Sequence, residues 1–245
     1  MRAVNVDGTR ALLLAAQAAG VERIVYCSSV AALGLTTDGT PADEATPVHP
    51  EALIGAYKQS KHAAEQAVLA LVRERGVPAV IVNPSAPVGP RDIKPTPTGR
   101  MILDAARGRM PAYVETGLNV VHVNDVAEGH ALALERGRIG ERYILGGENL
   151  SLRALLGLIA EIAGRSPPRI RLTPGVLWPA AVAFEALSRF GVEPLVTREL
   201  LAMSRKRMFY SSAKAQAELG FVARPVRQAV VDAVAWFRAN GMMGA

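Results

Sequence analysis

The stretch LIGAYKQSKHAAEQAVLALVRERGVPAVIVN, residues 53–83, decides the fold. Its first part, Leu53 to Arg75, has the spacing of a long amphipathic helix, and Gly76-Val77-Pro78 ends it. Ala79 to Asn83 follows as an unbroken apolar run. Such a run fits a parallel strand covered on both faces, whereas a half-exposed strand would alternate. A helix that feeds a doubly covered strand is half of a βαβ unit.

The pattern extends both ways. Upstream, Asn5 to Ala19 carries Val6, Leu12, Leu13, Ala16 and Ala19 at helical spacing, and Gly20 closes it. Arg23 to Ser28 is a short strand, and a loop rich in Gly, Pro, Asp and Thr runs from about Gly34 to Pro50. Downstream, Val120 to Val123 and Arg142 to Leu145 read as strands with a helix from Asn124 to Arg136 between them. This alternation predicts an α/β domain over residues 1–147, a doubly wound parallel sheet. After Gly147 the composition shifts. Ser151 is the expected N-cap of a helix to Ala163, and residues 148–245 read as a smaller, mainly helical, substrate-binding portion. Proline breaks fall at Pro174, Pro179, Pro194 and Pro225.

Composition narrows the function classes. Lysine and arginine number 28 against 22 acidic residues, a formal charge of +6, and the basic residues are scattered except for Ser204-Arg205-Lys206-Arg207. With few stacking aromatics, this argues against a nucleic-acid partner and suits an anionic small molecule. No apolar run reaches a membrane span. The single cysteine, Cys27, excludes an internal disulfide, and a cytoplasmic location is expected. His49, His62, His122 and His130 do not cluster with other ligand residues at metal-binding spacing, so no metal is expected. Cys27, inside a strand, reads as a small buried hydrophobe.

Tyr57 and Lys61 stand at i and i+4 on the long helix and share a face. A phenol alone is a poor base at neutral pH. An ammonium nearby favours the phenolate and suits the pair to proton transfer. A second pair, Tyr210 and Lys214, has the same spacing. There Ser211 or Ser212 reads as the cap of a helix from Ala213 to Leu219, so Tyr210 falls outside the helix. Ser28-Ser29 ends a strand, the edge at which open α/β sheets bind ligands, and a hydroxyl there can donate to a substrate oxygen as charge develops. Asn124-Asp125 reads as a helix cap, and Arg91 as either a phosphate contact or a brace for the Gly89-Pro90 turn. No G-x-G-x-x-G spacing follows any strand, so the phosphate-binding turn of a dinucleotide fold is absent from these residues.

The ordered set Asn5-Val-Asp-Gly-Thr9, Tyr26-Cys-Ser-Ser-Val30, Tyr57-x-x-x-Lys61, Asn83-Pro-Ser85, Gly89-Pro-Arg91 and Val121-His-Val-Asn-Asp125 resembles the extended short-chain dehydrogenase/reductases, the NAD-dependent epimerase/dehydratase group. Gly89 to Arg100, Thr116 to His122 and Gly140 to Gly147 are most similar to hopanoid-associated sugar epimerases, also described as dihydroflavonol-reductase-like. The resemblance implies a Rossmann-like sheet and NAD or NADP as cofactor. It implies a small-molecule substrate, a sugar or nucleotide-sugar for an epimerase, which is the leading expectation, or a ketone for a reductase, and a homodimer; a non-catalytic protein that keeps the fold without the cofactor is the alternative from another class. It makes Tyr57 the general acid/base. Lys61 would hold the nicotinamide ribose, Ser29 would bond the same substrate oxygen, and Pro84 and Ser85 would border the nicotinamide. It also implies that the family's first βαβ units, with their glycine-rich turn, precede Met1, so the sheet is a partial one. Asn83 stands where many relatives carry arginine. The loop from Asp92 to Arg100 and helices between Thr173 and Phe209 are expected to line the substrate pocket. Gly175 to Phe190 reads as a core helix of that portion, with a membrane-interface helix as the alternative.

Overall fold

A computed structural model describes residues 2–49, 53–173, 175, 178–179, 201–202 and 206–243. Most of the stretch from Gly175 to Phe190 lies outside them, as do Pro174, Pro194, Ser204 and Arg205.

The elements follow the expected rhythm closely near the opening stretch. The first helix is α1, Thr9–Ala18. The helix expected from Asn5 instead begins with a π-helical turn, Ala3–Gly8. Gly20, at φ 76°, closes it. Strand β1 is Ile24–Cys27 and helix α2 is Ala56–Arg75. Gly76 ends α2 in the left-handed region, which a residue without Cβ enters at no steric cost. Strand β2 is Ala79–Pro84, buried along its whole length. Strands β1 and β2 pair in parallel, Ile24 opposite Ala79 through Cys27 opposite Val82. Strand β6, Arg142–Leu145, pairs in parallel with the other edge of β2.

The side chains of β2 explain the unbroken apolar run. Ala79 and Ile81 pack with Leu13 of α1 and with Val68 and Leu71 of α2. Val80 and Val82 face the other way, into a cluster with Ala133, Tyr143, Ala215, Leu219 and Phe221. Those residues come from β6 and from two further helices and their surroundings. The helices are α4, Val123–Arg136, and α6, Ala213–Leu219. The sheet is therefore wound on both faces.

A second sheet follows directly. Ser85 alone separates β2 from β3, Ala86–Val88, which pairs in parallel with β5, Gly117–His122. Gly146-Gly147 separates β6 from β7, Glu148–Ser151, which pairs antiparallel with β5. Strand β9, Arg207–Met208, also joins β5. Strands β4, Ala112–Val114, and β8, Ile170–Leu172, form a small parallel pair. Helices α3, Pro97–Ala106, α5, Leu152–Ala163, and α7, Val226–Ala239, supply most of the core on this side, with Ile102, Leu155, Ile159, Val230 and Phe237 buried together. Residues after Gly147 thus contribute strands as well as helices.

Several local expectations change. Helix α3 starts inside the stretch expected to be loop, because the Thr96 hydroxyl accepts from the Gly99 N–H and Pro97 occupies the first turn. Helix α4 is capped by His122, whose Nδ1 accepts from the Asn124 N–H, and not by Asn124 or Asp125. Asp125 lies inside the first turn, 1% exposed, and bonds the Arg224 guanidinium and backbone N–H at 2.7 and 2.8 Å. The Ser151 cap stands, accepting from the Ala154 N–H at 3.1 Å.

Candidate active site

The carboxyl ends of β1 and β2 lie side by side, and α2 runs past them. Lys61 reaches β1, its Nζ donating to the Cys27 carbonyl at 3.1 Å and standing 5.7 Å from the Tyr26 ring centroid. Tyr57 is one turn earlier on α2 and half exposed. Its carbonyl accepts from Ser60 Oγ at 2.8 Å, and that hydroxyl in turn accepts from Asn5 Nδ2 at 3.1 Å. Asn5 belongs to the π-helical turn, a distortion of the kind that recurs at functional sites.

Ser29 has extended backbone and caps a 3-10 turn over Val30–Ala32, its Oγ accepting from the Ala31 N–H at 3.1 Å. Acting as acceptor there, the hydroxyl keeps its own proton for another partner. Its carbonyl accepts from Asn83 Nδ2 at 3.0 Å. His62, one residue beyond Lys61, holds the far end of the same turn through the Ala32 carbonyl at 2.9 Å. Pro84 ends β2 and Ser85 follows it. Ser28 Oγ, Asn83 Oδ1 and Ser85 Oγ are buried and, among the described residues, have no hydrogen-bond partner. Three unsatisfied oxygens at adjacent strand ends are costly unless something bonds them.

The structure therefore gathers Ser29, Lys61 and Ser85 around the ends of β1 and β2, with Tyr57 a turn from Lys61 on α2. It separates the second tyrosine–lysine pair. Tyr210 is 4% exposed and donates to the Val30 carbonyl at 3.1 Å, and burial pushes its phenol far up. Lys214 turns away to Glu141 at 2.6 Å, over the Tyr143 ring.

Some roles were not visible in the sequence. Glu65 and Asn83 are fully buried partners at 2.6 Å. Glu65 continues the 57, 61 spacing by one more turn, the one local sign of its placement. Cys27 is exposed and not buried, at the last residue of β1. The neighbouring His130 imidazole holds its thiol below the ordinary range, and Lys61 adds to the effect. Arg91 donates to the Asn124 side chain at 2.7 Å. Among the described residues no three His, Cys, Asp or Glu side chains lie close enough to hold a metal, and no helix is long and apolar enough to cross a membrane.

A model of the NAD dependent epimerase/dehydratase family matches residues 1–146. The chain belongs to this family. It is 48% identical over 245 residues to the putative dihydroflavonol 4-reductase of Synechocystis, covering 97% of this chain and 70% of that protein. Among solved structures, gox2253 superposes with a TM-score of 0.88 at 65% identity, covering 99% of this chain and 74% of that one. PA4631 of Pseudomonas aeruginosa, described as a nucleoside-diphosphate-sugar epimerase, superposes with a TM-score of 0.81 at 31% identity, covering 98% and 76%. The doubly wound sheet is accordingly the Rossmann fold of this group, and the family's members are NAD(P)-dependent enzymes.

Proposed function

We propose that this protein transfers hydride between a nicotinamide cofactor and a hydroxyl-bearing carbon of a small molecule, with Tyr57 as general acid/base. The observation that carries the reading is Lys61, one turn from the Tyr57 phenol and anchored at the strand end beside Ser29. The orphaned oxygens of Ser28, Asn83 and Ser85 suit a polar ligand group at the same strand ends, as a carboxamide would provide. In this reading Pro84 and Ser85 border the nicotinamide and Lys61 holds its ribose. When bound, the cofactor accepts or returns a hydride. Tyr57 removes or returns the proton of the reacting hydroxyl, and Ser29 donates its free proton to the same oxygen. NAD and NADP are both compatible with these residues. No glycine-rich turn occurs within residues 1–245, so the assignment concerns the nicotinamide half of the cofactor.

Net reduction of a ketone is the better of two outcomes. A cleft of about 480 Å³ beside the start of α2 mixes Leu33, Leu35, Val48 and Leu53 with Asp38, Lys58, Lys206 and Arg207 and so suits either substrate, and the preference rests on the Synechocystis relative, which is named a reductase. Epimerisation of a sugar is the second reading, supported by the likeness to PA4631. In that case the keto intermediate turns and recovers the hydride on its other face.

The test compares wild type with Tyr57→Phe against panels of ketones and nucleotide-sugars, following reduced nicotinamide by absorbance and products by mass spectrometry. Tyr57→Phe should abolish turnover and keep cofactor affinity within about threefold. Full activity in that variant would overturn the mechanism. Net cofactor consumption marks a reductase, and epimer exchange without it marks an epimerase. A homodimer is part of the proposal, supported by Val4 and Leu12, which are exposed on the π-helical turn and α1. A monomer by light scattering would remove it.

A further inference from the structure

Strand β1 stops pairing just before the residue whose hydroxyl the mechanism uses. The last partners are Cys27 and Val82, and the last ladder bond runs from the Ser28 N–H to the Val82 carbonyl at 2.8 Å. Ser29 lies beyond it. What crosses from β2 to Ser29 is a side chain, the Asn83 amide, at 3.0 Å from the Ser29 carbonyl. The same nitrogen donates to Glu65 Oε2 at 2.6 Å, so both hydrogens of the amide are committed. The amide cannot flip without facing an oxygen with an oxygen. Glu65 completes the arrangement from α2. Its other oxygen meets Arg142 at 3.3 Å, and its side chain is fully buried.

A buried carboxylate is an expensive way to fill space. A leucine or methionine on the same helix face would pack there without the desolvation cost. The polar contacts say what the carboxylate does in exchange. It sets the direction of the Asn83 amide, and that amide fixes Ser29. Glu65 also lies four residues beyond Lys61 and eight beyond Tyr57, on their face of α2. We propose that Glu65 is a positioning residue, which acts through Asn83 to hold the Ser29 backbone in register with the helix that carries Tyr57 and Lys61. The inference rests on the mechanism above for its consequence in turnover, while the clamp itself is read separately.

The experiment uses Glu65→Ala, Glu65→Gln, Asn83→Ala and the double variant Glu65→Ala/Asn83→Ala. The first readout is hydrogen exchange by NMR at the Ala32 amide, which donates to the Ser29 carbonyl at 3.0 Å. Glu65→Ala and Asn83→Ala should each speed this exchange about tenfold. Glu65→Gln, whose amide oxygen can still accept from Asn83, should stay within about threefold of wild type. The second readout is turnover. The two alanine variants should lower kcat about tenfold, Glu65→Ala with the cofactor KM within about twofold, and Glu65→Gln should restore most of kcat. The double variant should be no worse than Asn83→Ala, because one residue acts through the other.

Unchanged Ala32 exchange in both single alanine variants overturns the clamp, as do losses in kcat that multiply in the double variant. Should Glu65→Ala fail to fold with Arg142 left unpaired, Glu65→Gln and Asn83→Ala still decide the matter. The two proposals fail separately. An active Tyr57→Phe defeats the mechanism and leaves the exchange result standing, whereas unchanged exchange defeats the clamp alone.

Discussion

Replacing Asp125 by alanine should cost the protein far more than an ordinary surface ion pair is worth. The carboxylate is 1% exposed and accepts from Arg224 twice, from Nε at 2.7 Å and from the backbone N–H at 2.8 Å. Bonds to a charged group contribute about 1.5–3 kcal/mol each. The Arg224 side chain is 39% exposed and can turn to water, so its share is discounted. The backbone N–H has no such freedom. The net loss is roughly 2–4 kcal/mol. At roughly 2–4 °C per kcal/mol for a chain of this size, Asp125→Ala should melt about 4–16 °C below wild type. Asp125→Asn keeps one acceptor oxygen and should lose about half as much. Thermal unfolding followed by circular dichroism reads both. Arg227→Ala is the control. Arg227 and Glu161 are also 2.7 Å apart, but both are largely exposed, and the melting temperature should not move. An Asp125→Ala protein that melts within about 1 °C of wild type would refute the reasoning, since water would then replace everything the carboxylate provides.

Tyr210→Phe, which removes the hydroxyl bond to Val30, should cost about 1 kcal/mol in denaturant unfolding and leave turnover unchanged, the opposite of Tyr57→Phe. Cys27, exposed and held below the ordinary thiol range by His130, should be alkylated by iodoacetamide with a pH midpoint lower than that of a free cysteine. His130→Phe should move that midpoint up and slow the reaction at neutral pH, because less thiolate is then present. An unchanged rate would show that the imidazole does not act on the sulfur.

Local signals made the centre of the fold legible. Ala79 to Asn83 reads as a doubly covered strand because both faces of β2 are packed, and Gly20 and Gly76 mark helix ends because their backbones are left-handed there. The two tyrosine–lysine pairs could be told apart because the serines before Ala213 place Tyr210 ahead of its helix. Features set by distant partners were not legible. Strand β9 exists because residues 207–208 meet residues 117–118. Nothing near Asp125 announces an arginine 99 positions away. Histidine is an unusual cap, so Asn124 and Asp125 were the natural choice over His122. The strand-end serines and the 57, 61 spacing were visible as separate patterns. Their connection through Asn83 depends on strand pairing that no single segment encodes.

The two direct crossings from the first sheet to the second lie next to each other, the Ser85 N–H donating to the Leu145 carbonyl at 3.2 Å. One is Ser85, and the other is Gly146-Gly147, whose carbonyl and N–H are both bonded by the Asn119 side chain. The sheets are thus lashed by two neighbouring covalent straps that run in the same direction, and a torque on either layer is delivered to its companion at that seam.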